Sequence, residues 1–200
     1  MVDLIKFRAA TGKESCQHAP SMGPVPVVVE CLGGFHLWVD GGEIETAHAR
    51  LTRPIELLLR VIAAGGAGLA VERASTEFWP LAEPARARQS LDTTLARLKR
   101  TCGGNTILRR YGDELRINTD AARVDSLALE VLFEALLMPL QPPLNGPDRD
   151  AAANRIHELC KGPFLPELGA LPWAALTRNR IEDKRVRALQ RLGIPRSRVT

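Results

Sequence analysis

The segment 85–118 most constrains what this chain can fold into. Apolar residues recur there at helical spacing, so they share one narrow stripe of a helix over 85–101: Leu91, Leu95, Leu98 and Cys102. The opposite side of the same helix carries only polar and basic residues: Arg86, Gln89, Thr93, Arg97 and Arg100. The pattern predicts a helix that anchors in a core through its leucines and turns a basic, amide-bearing face outward.

The residues that follow this helix are typical of a β-hairpin over 106–118. Its tip is Tyr111-Gly112-Asp113, with Arg109 and Arg110 on one arm and Arg116 on the other. An anchored helix beside a basic hairpin predicts a winged helix-turn-helix.

Charge is concentrated in this segment. Between Ala85 and Arg116 lie eight Lys and Arg residues and three acidic ones, a surplus of five positive charges against +4 for all 200 residues. A basic stripe is the electrostatic footprint of phosphate binding. Charge alone is explained as well by a solvated helix face.

Composition and motifs exclude several classes of protein. No apolar run reaches the roughly 18 residues of a membrane span, and the N-terminus lacks the pattern of a secretory signal, so we expect a cytoplasmic protein. The segment Gly65–Gly68 lacks the GK[ST] ending of a phosphate loop. No nucleophile–base pair, carboxylate pair or metal cluster stands out, so we expect no catalytic residue, no metal, no cofactor and no enzyme.

The four cysteines form no CxxC pair. Cys31 and Cys102 stand in apolar patterns and are predicted to lie in the core. Cys16 and His18 resemble half of a metal site whose second half is missing. We expect free thiols.

The chain divides into three predicted parts. Residues 1–26 form a flexible arm. Residues 27–120 form an α+β winged helix, with an N-terminal antiparallel sheet (27–32, 35–39, 43–45), three helices (53–64, 72–79, 85–101) and the hairpin. Residues 121–200 form an all-α unit with helices over 125–138, capped by Asp125, 148–160 and 172–192.

Two blocks of residues resemble a known family. Arg53-Pro54-Ile55-Glu56-Leu57-Leu58, Phe78-Trp79-Pro80 and the helix from Ser90 to Arg100 resemble the OmpR-type winged helix of SARP-type regulators. Further on, the segment 159–166 and Pro172-Trp173 resemble the start of the bacterial transcriptional activator domain, a bundle of tetratricopeptide-like helix pairs. The helical unit is about half as long as that domain usually is.

The resemblance implies a DNA-binding transcription activator whose partners are promoter DNA and RNA polymerase, and which pairs as a homodimer on DNA. Gln89 and Arg97 then read base edges, Thr93 touches a thymine methyl, and the phosphates are held by Arg86, Arg88 and Arg100, to which the resemblance adds Lys99. The hairpin brings Arg109, Arg110 and Tyr111 to a minor groove or its phosphates. Arg88 and Asp92 are four residues apart and can pair with each other.

Other interpretations stay open at this point. A protein–protein adaptor could use the winged helix and helical unit as a scaffold, although it has no need of the basic face. Tyr111 could pack on the stem of its own hairpin. The eight basic residues between 178 and 198 favour a solvated helix face over a second DNA contact, and the aromatic residues Trp38, Phe78 and Trp79 favour packing over base stacking.

Overall fold

The computed structural model describes residues 25–45, 51–138 and 144–194, and within these ranges the chain forms seven β-strands and six α-helices. Residues 1–24 of the predicted arm lie outside the described ranges. In chain order the elements are β1 (Val27–Glu30), β2 (His36–Val39), β3 (Gly42–Glu43), α1 (Arg53–Ala64), β4 (Leu69–Ala70), α2 (Val71–Phe78), α3 (Pro84–Thr101), β5 (Leu108–Tyr111), β6 (Glu114–Ile117), β7 (Ala122–Val124), α4 (Asp125–Leu137), α5 (Gly146–Leu159) and α6 (Pro172–Arg191).

The first sheet has the strand order β3-β2-β1-β7. Asp40 (φ 50°) and Gly41 (φ 83°) form the turn between β2 and β3, as their sequence predicts, because a two-residue turn of this kind needs positive φ. Strand β7 runs parallel to β1, with Val27 opposite Ala122 and Val29 opposite Val124. The sequence analysis did not predict β7, which is only three residues long.

Helices α1, α2 and α3 pack together, with α1 also in contact with β4 and β6 and α2 with β4, and the long helix α3 lies at the surface. In α1 the apolar residues Ile55, Leu58, Leu59 and Ile62 are buried, and Gly65 (φ 72°) ends the helix. Helix α2 stops at Phe78, and α3 follows after a short loop and packs against both α1 and α2. The three predicted helix ranges agree with these bounds to within one residue.

The hairpin β5–β6, called the wing below, belongs to a second sheet with the order β4-β6-β5. The two-residue strand β4 pairs with β6, Leu69 opposite Leu115. The sequence analysis missed β4, since two residues show no periodicity.

Asp125 begins α4 but does not cap it: Val124 is the N-cap residue and makes no side-chain cap. The Asp125 carboxylate instead accepts hydrogen bonds from the backbone N–H groups of Cys31 and Leu32, each at 2.9 Å, and from Ser126 N at 2.6 Å. Burial raises the pKa of Asp125 above its ordinary value, against the lowering effect of these hydrogen bonds. Asp125, predicted as a helix cap, therefore links the end of β1 to the start of the helical unit.

The segment 160–165 ties the helical unit to the sheet a second time. Gly33 N donates to Pro163 O at 2.9 Å, and Leu165 N donates to Cys31 O at 2.8 Å. One apolar core runs through both parts, from Val27 and Leu91 to Phe133 and Ile181. The boundary drawn at residue 120 stays a prediction, and β7, which lies beyond it, pairs with the first sheet.

We predict that Gly162→Ala destabilises the protein. A Cβ atom at Gly162 would lie 2.8 Å from the Gly33 Cα atom, so two backbone segments would have to move apart. We expect the free energy of unfolding to fall by about 1–3 kcal/mol, as for other overpacked sites, in urea unfolding followed by circular dichroism. Gly169→Ala is the control, because its Cβ meets nothing nearer than 3.4 Å. Equal stability of the two variants would contradict the close contact.

Candidate nucleic-acid interface

The inner side of α3 is the predicted apolar stripe. Leu91 (0% exposed), Leu98 (1%) and Cys102 (0%) are buried, while Leu95 is only partly buried. Ala87 and Thr94 complete the buried side, and the Thr94 hydroxyl donates to Ser90 O at 2.8 Å. Packing of this side on α1 and α2 fixes which residues of α3 face outward.

The outer side of α3, called the basic face below, is exposed along its whole length. It consists of the five residues that helical spacing predicts on the side opposite the leucines: Arg86, Gln89, Thr93, Arg97 and Arg100. Arg88 and Lys99, on the flank, are exposed as well. Among the described residues, no acidic side chain pairs within 4.0 Å with any of the five cations of α3. The face therefore keeps an uncompensated positive charge.

Asp92 is paired with the wing. Its Oδ1 atom accepts a hydrogen bond from the Arg110 guanidinium at 2.7 Å, across 18 positions of sequence. The sequence analysis offered Arg88, one helical turn away, as the partner of Asp92. In the structure the partner of Asp92 is Arg110 of the wing.

The register of the wing separates its arginines. Arg109 stands opposite Arg116, and Arg110 stands opposite Leu115. Successive side chains of a strand point to opposite faces, so Arg110 shares the inner face with the buried Leu108 and Leu115. Arg109 and Arg116 share the outer face, and Tyr111 on the same arm is 50% exposed.

The sequence analysis left Arg116 out of the candidate site. Its guanidinium bonds Glu114 at 2.6 Å, and Arg109 has Asp120 at 3.8 Å. Arg109 and Arg116 therefore stand opposite each other on the outer face, each with an acidic side chain within 4.0 Å. The predicted tip Tyr111-Gly112-Asp113 is one residue too long: Tyr111 is the last residue of β5, opposite Glu114, and the two-residue turn Gly112-Asp113 sets this register.

The predicted solvated face of α6 is right for Arg187, which is exposed, and wrong for Arg178 and Arg180, which hydrogen-bond to other parts of the fold. Arg180 donates to Ala63 O, the end of α1, at 2.8 Å and pairs with the buried Glu130 at 2.9 Å. Arg178 donates to Phe164 O at 3.0 Å and Leu165 O at 3.2 Å. Arg196 and Arg198 lie outside the described residues.

The aromatic residues pack, as predicted. Trp38 stacks on His36 with ring centroids 5.4 Å apart, and Phe78 lies 5.7 Å from Trp79. The Arg60 guanidinium lies 5.4 Å from the ring centre of Trp173, which joins α1 to α6.

The described residues contain no group of three or more His, Cys, Asp or Glu side chains placed to hold a metal ion. None of the helices they form combines the length and the apolar character needed to cross a membrane.

The comparisons with known proteins concern the fold. No protein-family model matches the sequence, and no curated protein matches it. A solved structure of Mycobacterium tuberculosis EmbR in complex with a low-affinity phosphopeptide is similar, with a TM-score of 0.54 and 16% sequence identity over 82% of this chain. The match covers 43% of that EmbR chain. At 16% identity the likeness concerns the fold alone: the mixed α+β arrangement of sheet and helices is similar to part of the EmbR chain.

We predict that Cys102, which anchors the end of α3, resists alkylation in the native protein. Burial raises the pKa of its thiol from 9.0 to about 11, so almost no reactive thiolate forms at neutral pH. Iodoacetamide labelling read by mass spectrometry should leave Cys102 unmodified at pH 8 and modify it in urea. Because the thiol loses its proton only near pH 11, labelling of the folded protein should increase as the pH approaches that value. Rapid native labelling at pH 8 would contradict the burial of this end of the helix.

Proposed function

We propose that this protein is a sequence-specific DNA-binding transcription regulator that places α3 in the major groove. The observation that carries the proposal is the basic face: a row of exposed cationic and amide side chains without acidic partners, directly opposite a buried apolar stripe. An α-helix fits the major groove of B-DNA, where Arg matches guanine and Gln matches adenine. Uncompensated guanidinium groups favour phosphate binding through the release of counterions.

Each side chain has a role in this proposal. Gln89 and Arg97 read base edges from the middle of the basic face. The Thr93 hydroxyl donates to Gln89 O at 3.0 Å, which leaves its methyl group for a thymine methyl. Phosphates are held by Arg86, Arg88, Lys99 and Arg100. On the outer face of the wing, Arg109 and Arg116 hold a minor groove or its phosphates, with Tyr111 beside them.

Promoter DNA and RNA polymerase are the partners that we propose for this protein. As the family resemblance implies, we propose an activator in the cytoplasm that acts on promoter DNA as a homodimer and contacts RNA polymerase.

A protein–protein adaptor is the second candidate. Two large apolar side chains seven residues apart are exposed, Val131 on α4 (67%) and Met138 just after its end (47%), and such a pair suits a protein contact. An adaptor leaves the basic face of α3 without a purpose, which is why we favour the regulator.

We predict that Arg97→Ala weakens binding to a duplex selected from a random library by about tenfold or more, the cost of losing one bidentate base contact. Arg187→Ala on α6 is the matched control, because it removes an exposed positive charge outside the basic face. Fluorescence anisotropy with labelled duplex measures both. Equal loss in the two variants would contradict base reading by Arg97.

We predict further that binding weakens steeply with salt, and that Arg109→Ala reduces the slope of log K against log salt by about one, as expected for one lost phosphate contact. The measurement is a salt series on the same duplex. Affinity that hardly changes between low and moderate salt would contradict the proposed function.

A further inference from the structure

Helix α3 contains a single acidic residue, Asp92, on the flank of the basic face. Its side chain is 60% exposed, and an unpaired carboxylate there would repel DNA phosphates. Arg110 of the wing neutralises it with a hydrogen bond of 2.7 Å. Asp92 therefore links α3 to the wing, the two elements that the proposed function places on DNA.

The wing turns Arg110 toward α3. Arg110 lies on the inner face with Leu108 and Leu115, whereas Arg109 and Arg116 lie on the outer face. The only arginine of the wing that points at the helix is thus the one that meets Asp92.

Apolar packing between α3 and the wing is incomplete. A cleft of about 260 Å³ separates them, lined by Leu95, Lys99, Thr106, Ile107 and Leu108 among others. Asp92 lies one helical turn before Leu95, and Arg110 lies two residues beyond Leu108. The ion pair therefore ties the helix to the wing next to a place where side chains do not fill the space.

We propose that Asp92 and Arg110 form a positioning pair that sets the angle of the wing to α3 and keeps Arg110 off the DNA. The inference rests on the proposed function and revises the DNA contact predicted for Arg110. An exposed ion pair adds little to folding stability, so its effect appears in DNA binding. Loss of the pair leaves Asp92 facing the phosphates.

The test exchanges the two charges in the full chain. Random-sequence duplex DNA is the probe, in a salt series. We expect Arg110→Asp to weaken binding by about tenfold, because two carboxylates then face each other beside the phosphates. Adding Asp92→Arg should restore the affinity to within about threefold of the wild type and leave the salt slope unchanged.

Arg109→Asp is the matched control, since it makes the same charge change on the outer face. Asp92→Arg should rescue Arg110→Asp much better than it rescues Arg109→Asp, because net charge is equal in the two double variants and only the position differs. Equal rescue, or none, would overturn the inference.

A neutral pair guards against unfolding of the charge-reversed chains. Asp92→Asn with Arg110→Gln should bind more tightly than Arg110→Gln alone, and binding no tighter would overturn the inference. A wild-type chain that does not bind the duplex even at low salt would overturn the proposed function together with it, whereas failed rescue with intact wild-type binding would overturn the positioning pair alone.

Discussion

The division of α3 into a buried and an exposed side is the constraint on which the rest of the structure depends. Leu91 and Leu98, 0% and 1% exposed, fix the rotation of the helix about its axis. Burial of each leucine contributes about 1.5–3 kcal/mol, so a turn of the helix that exposed them would be costly. Because the buried leucines fix the rotation of the helix, the basic face points outward independently of any partner that its cations bind. The wing contacts the flank of the helix at Asp92.

The helical unit supports the same arrangement from behind. Thr177 and Arg180 donate to Ala63 O, which satisfies a carbonyl at the end of α1. From that end the chain runs through Gly65–Gly68 into β4, and β4 pairs with the wing strand β6. Hydrogen bonds thus join α6 to the end of α1, and β4 to the wing, on either side of the short segment Gly65–Gly68, and one apolar core is shared by both parts.

The sequence predicted the elements in which apolar residues recur at regular spacing and missed those that are too short to show such spacing. The helices over 53–64 and 85–101 follow from apolar spacing, and the structure confirms them within a residue. Strands β4 and β7 are too short to show alternation, and distant partners hold them. The sequence predicts a solvated face for the cations of α6, because nothing local reveals that Ala63 O and Glu130 face Arg180. At the candidate site, helical spacing correctly predicted that the basic face points outward. The partner of Asp92 could not be predicted in this way, because Arg110 lies 18 residues away in sequence.

Photocrosslinking from the basic face tests the central claim most directly. A photoreactive amino acid replaces Thr93 in one chain and Leu176, an exposed residue of α6, in another, and each chain is irradiated with the selected duplex. The account predicts crosslinks to DNA bases from position 93 and none from position 176. Crosslinks from position 176 with none from position 93 would contradict the account.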